Sequence, residues 1–138
     1  MSIEVTGIHH CCISVPAIQE AVDWYHRVCG FTVQKYSEIP DTGIQVCHMQ
    51  GPGFLLEIME SPGAAALPFD RRHPHSDART HGHKHFSLAV NDGRRTKSAL
   101  EAMGVDIVLV GEVDGTYSVF VHDNVGNLIE FFEAPAES

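Results

Sequence analysis

Two histidines and two glutamates stand at matched places in a chain of 138 residues. His10 opens the run "HCCISV" and His85 opens "HFSLAV"; each has a Gly three residues before it and a Val five residues after it. Glu57 lies in "FLLEIME" and Glu130 in "NLIEFFE", and nearly the same length of chain separates each glutamate from its histidine. Imidazole and carboxylate are the donors that Zn, Ni, Co, Mn and Fe(II) accept. Four such groups in two matched pairs predict a centre for one divalent transition metal.

Strand periodicity says which neighbours these residues keep. Successive strand side chains point to opposite faces. Cys11, Ile13 and Val15 form one set, His10, Cys12 and Ser14 the other. Phe86, Leu88 and Val90 again form one set, His85, Ser87 and Ala89 the other. The apolar set suits packing under a helix, while the His-plus-small set leaves room for a cavity. Glu57 shares its face with Leu55 and Met59, and Glu130 with Leu128 and Phe132. Burying a lone carboxylate among apolar neighbours costs on the order of several kcal/mol unless it is compensated. A divalent cation compensates two carboxylates at once, and neutral imidazoles complete its shell. Singly, a strand His is ordinarily packed or exposed and a strand Glu solvated, as expected for Glu60 and Glu133. Duplication at matching spacing turns the four into a metal-site expectation, because repeats map onto equivalent places in a fold. His9 and His83 rival His10 and His85; the shared Gly-x-x-His-x4-Val register favours His10 and His85.

The elements that must carry these residues also come in pairs. Each His run leads into a helical stretch, "AIQEAVDWYHRVCG" and "DGRRTKSALEAMG", ending at Gly30 and Gly104, where helix C-termini favour glycine. Trp24 and Tyr25 fall in the first helix pattern and are expected in the core. Strand-like runs follow: "FTVQKYSEI" and "IQVCHMQ" around the turn signal "PDTG", then "VDIVLV" and "TYSVFVH" around "GEVDG". With the closing Glu strands, the order βαβββ occurs twice. The expected organisation is one domain over 1–138, with a first module at 1–62, a linker or lid at 63–81 and a second module at 82–138. A module of that size buries a sheet face poorly alone, so the two must pack together or pair with a second chain.

Composition narrows the class. The apolar fraction of 43% fits a globular protein. A net charge of −9 argues against nucleic-acid binding. No apolar run reaches membrane-spanning length and no signal-peptide pattern opens the chain, so no membrane partner and a cytoplasmic location are expected. Cys11, Cys12, Cys29 and Cys47 form no C-x-x-C pair and are expected mostly as small buried residues. Arg71, Arg72, Arg79, Arg94 and Arg95 suit a solvated surface, or contact with an anionic substrate. His73, His75, His81 and His83 could form a second metal site but better suit a mobile loop. His48 and His122 fall in strands near the expected cavity, either as acid–base or supporting groups or as plain packed residues. Phe54, Met59, Phe120 and Phe132 suit an apolar cavity and core packing equally.

From "GIHHCCISVPAIQEAVDWYHRVCGFTV" to "VFVHDNVGNLIEFFE", the chain resembles the vicinal oxygen chelate superfamily, which holds glyoxalase I, methylmalonyl-CoA epimerase, extradiol dioxygenases and bleomycin-resistance proteins. The paired modules, the helix-ending "GF" and the terminal D-x-x-G-N-x-I-E carry the resemblance. It implies an α+β fold whose paired βαβββ modules form an open, U-shaped, eight-stranded barrel-like sheet with helices outside. It also implies one divalent metal (Zn, Ni, Co, Mn or Fe) on His10, Glu57, His85 and Glu130, and a homodimer. The implied chemistry is that of a metal-dependent isomerase or lyase. It chelates a small carbonyl or vicinal-oxygen substrate and stabilises an enolate-like intermediate during proton transfer. Glu130 or Glu57 is then the base, with Glu130 preferred by resemblance to the isomerases.

Departures from the family pattern separate its branches. Ser14 stands where bacterial glyoxalase I enzymes carry an Arg, and Ser61 where an Asn is typical, which argues against glutathione as substrate. Phe120 stands where extradiol dioxygenases carry a Tyr, and Glu57 is surplus to their three ligands. The epimerase and lyase branches lie closer. An Fe(II) ring-cleaving dioxygenase and a metal-free small-molecule binding protein are the alternatives; the latter kind commonly loses the ligands that this chain keeps.

Overall fold

The computed structural model describes residues 1–135. The fold is α+β, with two open four-stranded mixed sheets and few helices. The chain divides into two compact units, Met1–Ala64 and the part from Ala65 onward.

In the first unit the order is β1 (His10–Ser14), α1 (Ile18–Cys29), β2 (Thr32–Glu38), β3 (Gln45–Gly51) and β4 (Phe54–Glu60). The sheet order is β1-β4-β3-β2, with β1 parallel to β4 and the other pairs antiparallel. α1 presents Ala21, Val22, Trp24 and Tyr25 to the core. Leu56, Ile58, Cys47 and Met49 are fully buried with them. The helix stops at Gly30, whose φ of 72° is left-handed and whose amide donates to the carbonyl of His26. A two-residue turn, Pro52–Gly53, joins β3 to β4 and sets their register, Gly51 facing Phe54 and His48 facing Glu57.

The second unit repeats this order with β5 (Phe86–Val90), α3 (Gly93–Ala102), β6 (Ile107–Val113), β7 (Thr116–His122) and β8 (Leu128–Glu133). Its sheet order, β5-β8-β7-β6, repeats the first, including the parallel edge pair. Even the irregularities repeat: the register shifts once between Val33 and Lys35 and once between Ile107 and Leu109. The β6–β7 connection is shorter than "GEVDG" suggests. Gly111–Val113 continue β6, and only Asp114 and Gly115 turn, with φ of 52° and 76°. Two left-handed residues at a hairpin tip match the right-handed twist of the strands, which is why Asp-Gly suits this place.

Residues 65–84, mostly within the segment expected as linker or lid, carry a 3-10 turn (Phe69–Arg71) and a short helix, α2 (Pro74–Asp77). They fall in the second unit. Asp77 is only 3% exposed, the one buried residue of this stretch. Among the described residues, no helix is long and apolar enough to cross a membrane.

Candidate functional site

The two-residue period places the expected side chains where the strand pattern predicts. His10, Cys12 and Ser14 are exposed, while Cys11 and Ile13 are half-buried and Val15 is buried. His85, Ser87 and Ala89 are likewise exposed, and Phe86, Leu88 and Val90 half-buried. Because each edge strand runs parallel to its closing strand, the glutamate falls beside the second residue after the histidine. Cys12 is the partner of Glu57, and Ser87 the partner of Glu130.

That register brings each histidine to its glutamate. His10 Nε2 lies 3.5 Å from Glu57 Oε2, and His85 Nε2 lies 3.6 Å from Glu130 Oε1. Both carboxylates are largely shielded, at 18% and 13% exposure. Among the described residues, His9 and His83 make no such contact with a carboxylate. The ring of His9 bonds instead to His10, Nδ1 to Nδ1 at 2.8 Å. The carbonyl of His83 accepts from Arg71 Nη2 at 3.2 Å.

The spacing within each pair bears on whether a metal fits. A distance of 3.5–3.6 Å is longer than a good N–H···O hydrogen bond. Two donors bound to one tetrahedral ion at roughly 2.0–2.2 Å lie roughly 3.3–3.6 Å apart. Each pair therefore has the separation of two neighbouring ligands, with a ring nitrogen and a carboxylate oxygen converging. Among the described residues, no group of three or more His, Cys, Asp and Glu side chains is arranged to hold a metal ion. Each unit offers two donors, and four-coordinate zinc wants four.

Around the shared plan, the two glutamates differ. Glu57 Oε1 is 2.9 Å from His48 Nε2, which leaves Oε2 toward His10. That hydrogen bond holds the Glu57 carboxyl below the usual carboxylate range, against the opposing effect of its burial. Desolvation, and then the adjacent Glu57 carboxylate, push the Cys12 thiol up to about 12, so it stays protonated. In the second unit Phe120 takes the place of His48 across the ladder from Glu130. Its ring stands edge-on to His85, centroids 4.7 Å apart. The Ser87 hydroxyl donates to Glu130 Oε1.

The terminal D-x-x-G-N motif delivers Glu130. Asp123, 6% exposed, accepts from the amides of Val125 (3.0 Å) and Asn127 (2.9 Å) and from Asn127 Nδ2 (2.9 Å). The loop between β7 and β8 is thereby fixed, and Phe120 is brought opposite Glu130.

Other expected residues have structural work. Glu133 accepts from the Gly93 amide at 2.8 Å and so caps the first turn of α3, a role beyond the solvated one expected of it. His122 bonds to Asp106 (2.7 Å) and to the Arg72 carbonyl (2.5 Å); it stands opposite Leu128, two residues along β8 from Glu130, and both its ring nitrogens are engaged there. Of the four cysteines, expected mostly buried, only Cys47 is; Cys11 and Cys29 are half-buried and Cys12 is exposed on the His face. Phe120 is 8% exposed and Phe132 42%, so only the former belongs to the packed interior.

A family model for the Glyoxalase/Bleomycin resistance protein/Dioxygenase superfamily matches residues 7–131. The chain belongs to this superfamily. A glyoxalase family protein from Enterococcus faecalis superposes with a TM-score of 0.76 at 22% identity, over 93% of this chain and 98% of that one. The trypanothione-dependent glyoxalase I of Leishmania major gives 0.71 at 18% identity, over 94% and 87%. Lactoylglutathione lyase from Agrobacterium tumefaciens gives 0.67 at 20% identity, over 94% and 95%. At these identities the likeness is one of fold. No curated protein matches the chain.

Proposed function

We propose that this protein is a metal-dependent isomerase or lyase acting on a small carbonyl or vicinal-oxygen substrate. His10, Glu57, His85 and Glu130 are its metal ligands, and each His–Glu pair supplies half of the set. The single observation that carries this reading is the repeated pair. In both modules an imidazole nitrogen converges on a shielded carboxylate oxygen at the spacing of two ligands on one ion. A bound divalent transition metal supplies Lewis acidity to the substrate oxygens.

The chain's own residues divide the remaining work. A base must take a proton from the carbon beside the carbonyl and return it. Glu57 suits that task less well, because its hydrogen bond to His48 stabilises the anion and weakens it as a base. By resemblance to the isomerases Glu130 is the base, and Glu57, bonded to His48, holds fixed negative charge. Ser14, Cys12 and Ala89 keep the histidine faces open for substrate. Phe120, in place of a tyrosine, puts an apolar ring against His85 and offers no hydroxyl, which counts against ring-cleaving dioxygenase chemistry. The assembly is a homodimer, as the family resemblance implies.

Deuterium incorporation tests the reaction class. Zinc-, nickel- or cobalt-loaded protein should exchange the α-proton of small α-acidic carbonyl compounds in D2O, and metal-stripped protein should not. Oxygen consumption with catechols on iron-loaded protein, without such exchange, would replace this reading with the dioxygenase one.

A further inference from the structure

His85 differs from His10 in how its backbone is held. The β1 ladder begins at His10 itself, and the carbonyl of His9 accepts from the Leu55 amide at 3.2 Å. The β5 ladder begins only at Phe86, one residue after His85. The second histidine thus lies just outside the strand pairing, and contacts from elsewhere hold the chain before it.

A cluster of two half-exposed cations around a buried carboxylate reaches that stretch. Asp77, at the end of α2, is 3% exposed. Its Oδ1 accepts from Arg71 Nε at 3.1 Å and from Lys84 Nζ at 3.2 Å. Lys84 Nζ also donates to the Asp77 backbone carbonyl at 2.8 Å. Arg71 reaches further, donating from Nη2 to the His83 carbonyl at 3.2 Å. The two residues immediately before His85 are thus both tied to one cluster, His83 by its carbonyl and Lys84 by its side chain. A carboxylate this buried is costly without its cations, so the cluster holds a defined geometry.

We propose that Asp77 is a positioning residue for His85: through Lys84 and Arg71 it fixes the chain that leads into β5 and so aims the imidazole at Glu130. The proposal rests on the reading of His85 as a metal ligand, but its effect on the imidazole precedes any metal. Residues that orient metal ligands typically change affinity by about 10–100-fold when lost.

Two readouts test it, on the full chain with Asp77→Asn, Lys84→Met and Lys84→Arg, and with Arg94→Ala as a surface control. In metal-free protein, the imidazole resonances of His85 should shift and broaden in Asp77→Asn and Lys84→Met while those of His10 stay in place. Cobalt(II), titrated alone, should bind those two variants about tenfold or more weakly. Lys84→Arg, which keeps a cation in reach of the carboxylate, should restore both. If Asp77→Asn does not fold, Lys84→Met decides, since it leaves the Arg71–Asp77 pair intact. Unchanged His85 resonances and unchanged cobalt affinity in Lys84→Met would overturn the proposal. A wild type that binds no cobalt, with His85 resonances that still move in the variants, would sink the metal reading and support the positioning role.

Discussion

His48 and Phe120 occupy equivalent positions, each directly across an antiparallel ladder from its module's glutamate. One donates a hydrogen bond to the carboxylate, and the other offers only the edge of a ring to the neighbouring histidine. The duplicated plan thus holds two carboxylates with different partners, one bonded to a histidine across the ladder and the other to the Ser87 hydroxyl.

His48→Phe makes the first module resemble the second. Because the folded carboxyl of Glu57 is held below its usual 4.5, its bond to His48 stabilises the fold above that pH. The contribution disappears as pH falls through the lowered value. In metal-free protein, the variant should be less stable than wild type near neutrality, and the gap should close in acid below the usual glutamate range. Urea denaturation across pH measures this; a gap that widens steadily in acid would contradict it.

Glu130→Gln and Glu57→Gln should fail in different ways. With metal loaded to saturation, Glu130→Gln should lose proton exchange by about 10²–10⁴-fold, the usual worth of a positioned base. Glu57→Gln should need far more metal for saturation and then keep most of its exchange rate. Exchange rates at saturating metal, compared with the metal concentrations required, separate the two roles. Equal kinetic losses at saturation would contradict the assignment.

Asp123→Ala removes the acceptor for two amides and one side-chain NH2 in the loop before β8. Leaving such donors without partners costs about 1–3 kcal/mol. The melting temperature should fall, with slower-exchanging amides in β7 and β8 losing protection. A variant as stable as wild type would show the loop to be held by other contacts.

The faces of β1 and β5 were legible because a strand's period is two and the apolar residues mark one side of it; β4 and β8 are apolar on both sides, and there only the glutamate marks the face. The His–Glu pairs followed from duplication, since two copies at one spacing map onto equivalent places in their modules. His48 was expected near the cavity, as a supporting or a plain packed residue, but duplication could not decide between the two, because its counterpart is Phe120. A signal was nonetheless present. Counting outward from the two-residue turn Pro52–Gly53 pairs position 51 with 54 and arrives at 48 opposite 57. Asp77 left no such trace. Its partners Arg71 and Lys84 come from a stretch rich in Pro, Arg and His without period, and only the folded backbone makes them neighbours.

Metal content is the most direct measure of the central claim that the two His–Glu pairs hold one ion. Elemental analysis of purified wild type should find about one divalent transition metal per chain, as expected for one four-ligand site. His10→Ala and His85→Ala, one from each module, should each retain far less. Equal metal in all three proteins, or none in any after incubation with zinc, nickel, cobalt, manganese and iron(II), would contradict it.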